Sequence, residues 1–166
     1  MIRLAQPSDL DTIDQIAEQA ILHMAASNIP QWDLSYPRRL HFAKDVEDGV
    51  LFVYEQEGRI AGVMALRPEQ DPPYENIQGW TVPHGESLVI HRVVIDPKLE
   101  RQGIFQHLMD FAIQTAKDKH YQSIKIDTHH DNYKMRRFLD KNGFVHIGYL
   151  AVIDREAYER TWEDEQ

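Results

Sequence analysis

Cysteine is absent from the 166 residues, which removes disulfide frameworks, thiolate metal sites and a cysteine nucleophile together. That absence is compatible with a cytoplasmic setting, which is the expected location. Long apolar runs are missing too. The longest, such as Leu51-Phe52-Val53-Tyr54, are strand-length and fall far short of the ~20 apolar residues of a membrane span, so no membrane partner is expected. Met1-Ile2-Arg3-Leu4-Ala5 lacks the apolar region of a secretion signal and passes straight into strand-like sequence. Positive charge is scarce: Lys and Arg number 18 against 27 Asp and Glu, a net charge of −9. An acidic surface repels phosphate backbones, so nucleic acid is not an expected partner. A polyphosphate ligand would need local attraction, from backbone N–H groups, a helix N-terminus and a few nearby cations.

What is present reads as one domain over residues 1–166, with 42% apolar and 27% charged residues, an ordinary globular balance. Ile2 to Ala5 predicts a short strand. Ser8 is the expected N-cap of a helix whose apolar stripe is Leu10, Ile13, Ala17, Ala20, Ile21 and Met24. A second helix is expected from Pro37 toward Gly49. Val50 to Gln56 and Arg59 to Arg67 flank Glu57-Gly58 as a hairpin. Pro68 to Glu86 is a long connection, of the kind that tends to be functional. Then come a strand at Ser87 to Ile95, a helix at Gln102 to Lys119 and a strand at Ser123 to Thr128. A helix capped by Asp131 or Asn132 runs to Asn142-Gly143. Strands at Val145 to Ile153 and Ala157 to Trp162 complete the pattern.

Chemistry concentrates in Val93-Val94-Ile95-Asp96-Pro97-Lys98-Leu99-Glu100-Arg101-Gln102-Gly103-Ile104-Phe105-Gln106. A strand, a proline-bounded turn and a glycine opening a long helix make a ready pyrophosphate site. Gly103 permits close backbone approach, and Lys98 and Arg101 add cationic reach. Taken alone, the same unit serves equally well as a plain strand-to-helix turn.

The wider pattern resembles the GCN5-related N-acetyltransferases. Their Gln/Arg-x-x-Gly-x-Gly/Ala fingerprint is matched by Glu100-Arg101-Gln102-Gly103-Ile104-Phe105 after Val94-Ile95-Asp96-Pro97. Asn132 and Phe138-Leu139-Asp140-Lys141-Asn142-Gly143-Phe144 look like the family's Asn…Leu-Tyr-Glu-Lys-x-Gly-Phe block, and the order of elements agrees over nearly the whole chain. The resemblance implies a mixed α/β fold, with a mostly antiparallel twisted sheet, one parallel strand pair and helices on both faces. It implies acetyl-CoA as donor, and direct transfer to a primary amine of a small molecule or peptide. The alternative is a catalytically weak acyl-CoA-binding sensor or assembly module. A homodimer is compatible with either. Three positions depart from the pattern: Glu100 for Gln or Arg, Phe105 for a small residue, and Leu139 where many members carry a proton-donating Tyr.

By the same resemblance, the pantetheine would lie along Val93, Val94 and Ile95. The pyrophosphate would meet Arg101, Gln102, Gly103, Ile104, Phe105 and Gln106. Asn132, Met135, Arg137 and Phe138 would flank the cofactor. His91 is the first candidate base, since an imidazole titrates near neutrality; a histidine hydrogen-bonded within the sheet is the bland alternative. Glu86 is the second candidate, against a plain surface carboxylate. Trp32, Tyr36, Trp80, Asp127 and His129 are the acceptor-side candidates, aromatics being equally able to wall a pocket or cover a core. Asp33 and Tyr74, in the same segments, are acceptor-side candidates as well. No metal is expected, because adjacent strand residues such as His129-His130 would point to opposite faces.

Overall fold

The computed structural model describes residues 1–68 and 71–162. These form β1 (Ile2–Leu4), α1 (Leu10–Ala26), α2 (Arg39–Glu47), β2 (Leu51–Gln56), β3 (Arg59–Arg67), β4 (Ser87–Ile95), α3 (Ile104–Asp118), β5 (Ser123–Thr128), α4 (Tyr133–Lys141), β6 (Val145–Leu150) and β7 (Arg155–Thr161). The sheet has the order β1-β2-β3-β4-β5-β7-β6 and is mostly antiparallel, with β4 and β5 the parallel pair. Two compact units emerge from the contacts: Met1–Leu66 with His91–Ala112, and Arg67–Ile90 with Ile113–Gln166. Strand β4 and helix α3 each contribute residues to both.

In the first unit, β1 and β2 pair antiparallel from Ile2↔Tyr54 to Leu4↔Phe52, and β2 pairs with β3. Glu57 and Gly58 both have positive φ (53° and 75°), as a two-residue type I′ hairpin turn requires. Leu10, Ile13, Ile16, Ala17 and Ala20 of α1 pack with Phe42 of α2 and with Leu51, Val53, Val63, Ala65 and Val94 of the strands. The helix start corrects the expectation at Ser8. Residues Pro7–Asp9 form a 3-10 turn, and the Asp9 carboxylate accepts from the Gln6 N–H at 2.7 Å while receiving two hydrogen bonds from Arg3. A carboxylate already held by Arg3 outcompetes the Ser8 hydroxyl for that turn. Helix α2 likewise begins at Arg39 rather than Pro37, because Asp14 accepts from the Arg39 N–H (2.8 Å) and from the Arg38 guanidinium.

Gly62 of β3 marks the closest backbone approach. A Cβ there would lie 2.9 Å from Ile95 Cδ1 and 3.2 Å from both Leu108 Cδ1 and the Val94 carbonyl oxygen. Gly62→Ala is therefore expected to destabilise the protein by about 1–3 kcal/mol, the usual cost of overpacking. A urea midpoint equal to that of the parent would show that these neighbours yield freely.

In the second unit, β5 pairs with β4 over Ser87↔Ser123 to Val89↔Lys125 and with β7 along its whole length. Strand β6 ends at Leu150, short of the expected Ile153, because residues 151–154 turn back into β7 through Asp154 (φ 54°). The 68–86 connection includes a 3-10 turn at Pro72–Asn76; residues 69 and 70 lie outside the described residues. Tyr74 in that turn is fully buried with Val89, Leu150 and Ala157, which makes it a core residue rather than an acceptor-side wall.

Helix α4 begins at Asn132, whose Oδ1 accepts from the Met135 N–H at 3.2 Å. It closes with the Phe144 N–H on the Leu139 carbonyl and the Gly143 N–H on the Asp140 carbonyl, Gly143 having φ 79°. That is a Schellman motif, and the buried Leu139 and Phe144 supply its usual hydrophobic pair.

Candidate active site

The first unit carries the phosphate-like turn. Past Ile95, the Asp96 side chain accepts from the Lys98 N–H (3.0 Å) and stiffens the proline turn. Glu100 is extended, Arg101 and Gly103 are both left-handed (φ 64° and 75°), and the first helical bond runs from the His107 N–H to the Gly103 carbonyl. Left-handed residues on either side of Gln102 make an irregular turn just before α3, the class of backbone in which anion-binding concavities form. Arg101, Gln102 and Gly103 are exposed, whereas Ile104 is buried and roots the helix. Glu100 turns its carboxylate to His23 of α1 at 3.2 Å, so this departure from the fingerprint is occupied elsewhere. The Gln106 side-chain amide donates to Asp110 (2.9 Å).

His91 is half-buried in β4 beside a feature that the sequence reading missed. Arg92 has φ 45°, and its guanidinium donates to both oxygens of Asp45 on α2 (2.7 and 2.5 Å) and to the Tyr36 hydroxyl (2.9 Å). Asp45 is fully buried. Burial works against the Arg92 charge, yet the hydrogen bonds it donates to Asp45 and Tyr36, together with their charges, raise its pKa above the ordinary arginine value. A signal existed: Asp45 lies three residues after Phe42, on the buried stripe, and Arg92 interrupts an otherwise apolar strand. Tyr36 is thus brought to β4, with its ring edge-on to His41. Trp32 instead packs against the first unit's core. A cleft of about 570 Å³ in this unit is lined by Arg3, Thr12, Gln15, Glu18, Arg59 and Lys98; of the residues read as phosphate-side in the sequence it includes Lys98 but not the Arg101-Gln102-Gly103 turn.

The second unit holds the remaining candidates. Glu86 is exposed and accepts from the Gln122 side chain (3.0 Å). Tyr74 donates to Asp127 at 2.7 Å; burial, and then the Asp127 charge, push the phenol well above its usual pKa. The Trp80 indole N–H donates to the Tyr74 carbonyl, and the buried Lys125 ammonium lies 4.6 Å over the Trp80 ring while donating to the Val82 carbonyl. His129 and His130 follow the end of β5, so the opposite-faces argument fails: their rings lie 4.1 Å apart and, with Asp131, cluster at ligand-like spacing. His129 Nδ1 accepts from the Asp131 N–H (3.1 Å), which leaves Nε2 to donate to Asp154 (3.1 Å). Both ring nitrogens are engaged, and a cation would have to displace one of those partners. In α4, Arg136 is tied to Tyr158 and the His130 carbonyl, while Arg137 is exposed; Met135 and Phe138 are half-buried.

The family model for the Acetyltransferase (GNAT) family matches residues 18–144. The chain belongs to that family. It is a GNAT acetyltransferase, of the class that draws acyl groups from acyl-CoA. Among solved structures it is similar to a GNAT-family acetyltransferase of Streptococcus agalactiae 2603, with 26% identity, TM-score 0.88, and 97% of this chain and 94% of that one covered. In fold it also resembles a GNAT-family acetyltransferase of Listeria monocytogenes (18%, TM-score 0.79, 97% and 94% covered). The PaiA N-acetyltransferase of Thermoplasma acidophilum, solved in complex with coenzyme A, is a further fold relative (15%, TM-score 0.72, 97% and 98% covered). Among curated proteins nothing matches. No helix among the described residues of this acetyltransferase is long and apolar enough to cross a membrane.

Proposed function

We propose that this acetyltransferase, acting as one domain over residues 1–166, transfers an acetyl group from acetyl-CoA to a primary amine of a small molecule or peptide. The observation that carries the reading is the pair of left-handed residues, Arg101 and Gly103, at the opening of α3. That turn offers main-chain donors and a helix dipole to a pyrophosphate in an otherwise acidic chain. Main-chain N–H groups of Val93, Val94 and Ile95 hold the pantetheine and polarise the thioester carbonyl. Asn132, Met135, Arg137 and Phe138 are assigned to the cofactor, and Tyr36, Trp80, Asp127 and His129 to the acceptor side, by family resemblance. Arg137 is favoured over Arg136 as a phosphate partner because Arg136 is already committed.

In this reading His91 removes a proton from the acceptor ammonium. The amine lone pair attacks the thioester carbon, the C–N bond forms, and the C–S bond breaks to release the CoA thiolate, which takes up the proton that the new amide nitrogen sheds. Leu139 cannot donate it. A thiolate is a tolerable leaving group near neutrality, so a dedicated acid is dispensable.

The test is thiol release from acetyl-CoA across an amine panel, alongside thermal stabilisation by acetyl-CoA, CoA and ATP. Stabilisation by ATP alone would refute the cofactor assignment. Stabilisation by acetyl-CoA without thiol release would support the weakly catalytic, acyl-CoA-sensing alternative. His91→Ala is expected to lower kcat by about a hundredfold, the usual share of a general base, with little change in acetyl-CoA affinity. An unaltered rate and pH profile would make His91 structural.

A further inference from the structure

We propose that Arg92 and Asp45 are a positioning pair for acyl transfer, holding β4 in its left-handed turn so that the Val93 and Val94 N–H groups are correctly aimed. The inference rests on the acetyltransferase reading above. A residue bearing a Cβ is disfavoured at φ 45°, so β4 has no local reason to turn at Arg92. The guanidinium supplies the reason. Its Nε and Nη2 grip both oxygens of Asp45, and Nη1 reaches the Tyr36 hydroxyl. A fork-to-fork contact fixes direction as well as distance.

Asp45 is buried on α2, beside Phe42 in the first unit's core, so the anchor is rigid. At the other end of the segment the Asp96 N–H donates to the Ala61 carbonyl of β3 at 2.9 Å. Val93, Val94 and Ile95 are therefore held from both sides. Both contacts are made within the protein, one to α2 and one to β3. Stability alone is a poor reason for such a pair, because apolar residues of similar size usually replace a buried ion pair without loss. The same guanidinium fixes the Tyr36 hydroxyl, linking an acceptor-side candidate to the strand that carries His91.

The test uses the full chain with Arg92→Lys, which keeps the charge but loses the fork, and Asp45→Asn, which keeps the shape but loses the charge. Asp14→Asn, which weakens the separate α1–α2 ion pair to Arg38, is the control for stability. Both test variants are expected to lose about tenfold or more in kcat, while KM for acetyl-CoA stays within about threefold. The control should lower Tm and leave kcat unchanged. Adding CoA should shift the Val93 and Val94 amide resonances of the parent protein, and shift them less in both variants. Parental kcat in both, or a loss no greater than the control shows at equal loss of Tm, overturns the pair. Should the single variants not fold, Arg92→Met with Asp45→Leu keeps a packed core without charge: slow turnover supports positioning, and parental turnover refutes it. If the parent releases no thiol with any amine, the transferase reading fails. The amide shifts then still decide the pair, and equal shifts in parent and variants overturn it.

Discussion

Asp45→Ala is expected to lower the unfolding free energy by about 3–5 kcal/mol, because it strands a buried guanidinium. Arg92 cannot escape by losing its proton: arginine stays charged under all ordinary conditions, and here its pKa is raised further. Nor is water close at hand, since the Arg92 side chain is only 16% exposed. The loss would be a large share of the roughly 5–15 kcal/mol that stabilises a typical domain. Urea denaturation followed by circular dichroism measures it. Arg92→Met with Asp45→Leu should recover most of the stability, which separates an uncompensated charge from a lost packing contact. A loss below about 1 kcal/mol in Asp45→Ala, the scale of an exposed pair, would mean that the guanidinium swings out to solvent.

Gly103→Val is expected to weaken CoA binding by about a hundredfold. In the cofactor reading, a branched side chain at this position is pushed against the pyrophosphate. The geometry adds a second effect. A Cβ on Gly103 would meet nothing within 4 Å, but its φ of 75° is a region that β-branched residues resist. Valine therefore either holds the turn under strain, costing roughly 1–2 kcal/mol of stability, or abandons it. Abandoning it misdirects the N–H groups, and losing two charge-assisted hydrogen bonds of about 1.5 kcal/mol each corresponds to the hundredfold figure. Gly103→Asn separates these effects, since asparagine tolerates the left-handed region, and it should bind CoA within about tenfold of the parent. Calorimetric titration with CoA reads both variants. Equal affinity in Gly103→Val and the parent would remove this turn from the cofactor site.

Much of the fold is legible from local sequence because its signals are local. Glu57-Gly58 allows only a tight hairpin, and both residues adopt the positive φ that the turn requires. Asn132 and Gly143 bracket α4 as cap and stop, and the spacing of Ile104, Leu108, Met109 and Ala112 marks the buried face of α3. Where local signals compete, the reading slips. Ser8 and Asp9 are both acceptable helix-starting residues, and Arg3, six positions from Asp9, selects the latter. The site is less legible than the fold. His129, a candidate for acceptor contact, has its two nitrogens held by the Asp131 main chain and by Asp154, 25 residues on, a partner no local pattern announces. Trp32 and Tyr36, four residues apart, look alike as pocket aromatics. One packs against the core and the other reaches Arg92, 56 residues away.

By itself, the sequence determined most of the order and type of the elements, and its motifs carried the resemblance to the family; it also marked Arg101-Gln102-Gly103 as the candidate anion-binding turn. The elements depend on periodicity, capping and glycine conformation, all of which act over a few residues. Only the tertiary structure decided that Glu100 faces His23, that Tyr74 is core, and that Asp45 and Arg92 meet across 47 residues. A charged residue in an apolar segment declares that it needs a partner. Which partner it finds depends on how distant segments pack, and no local pattern records that.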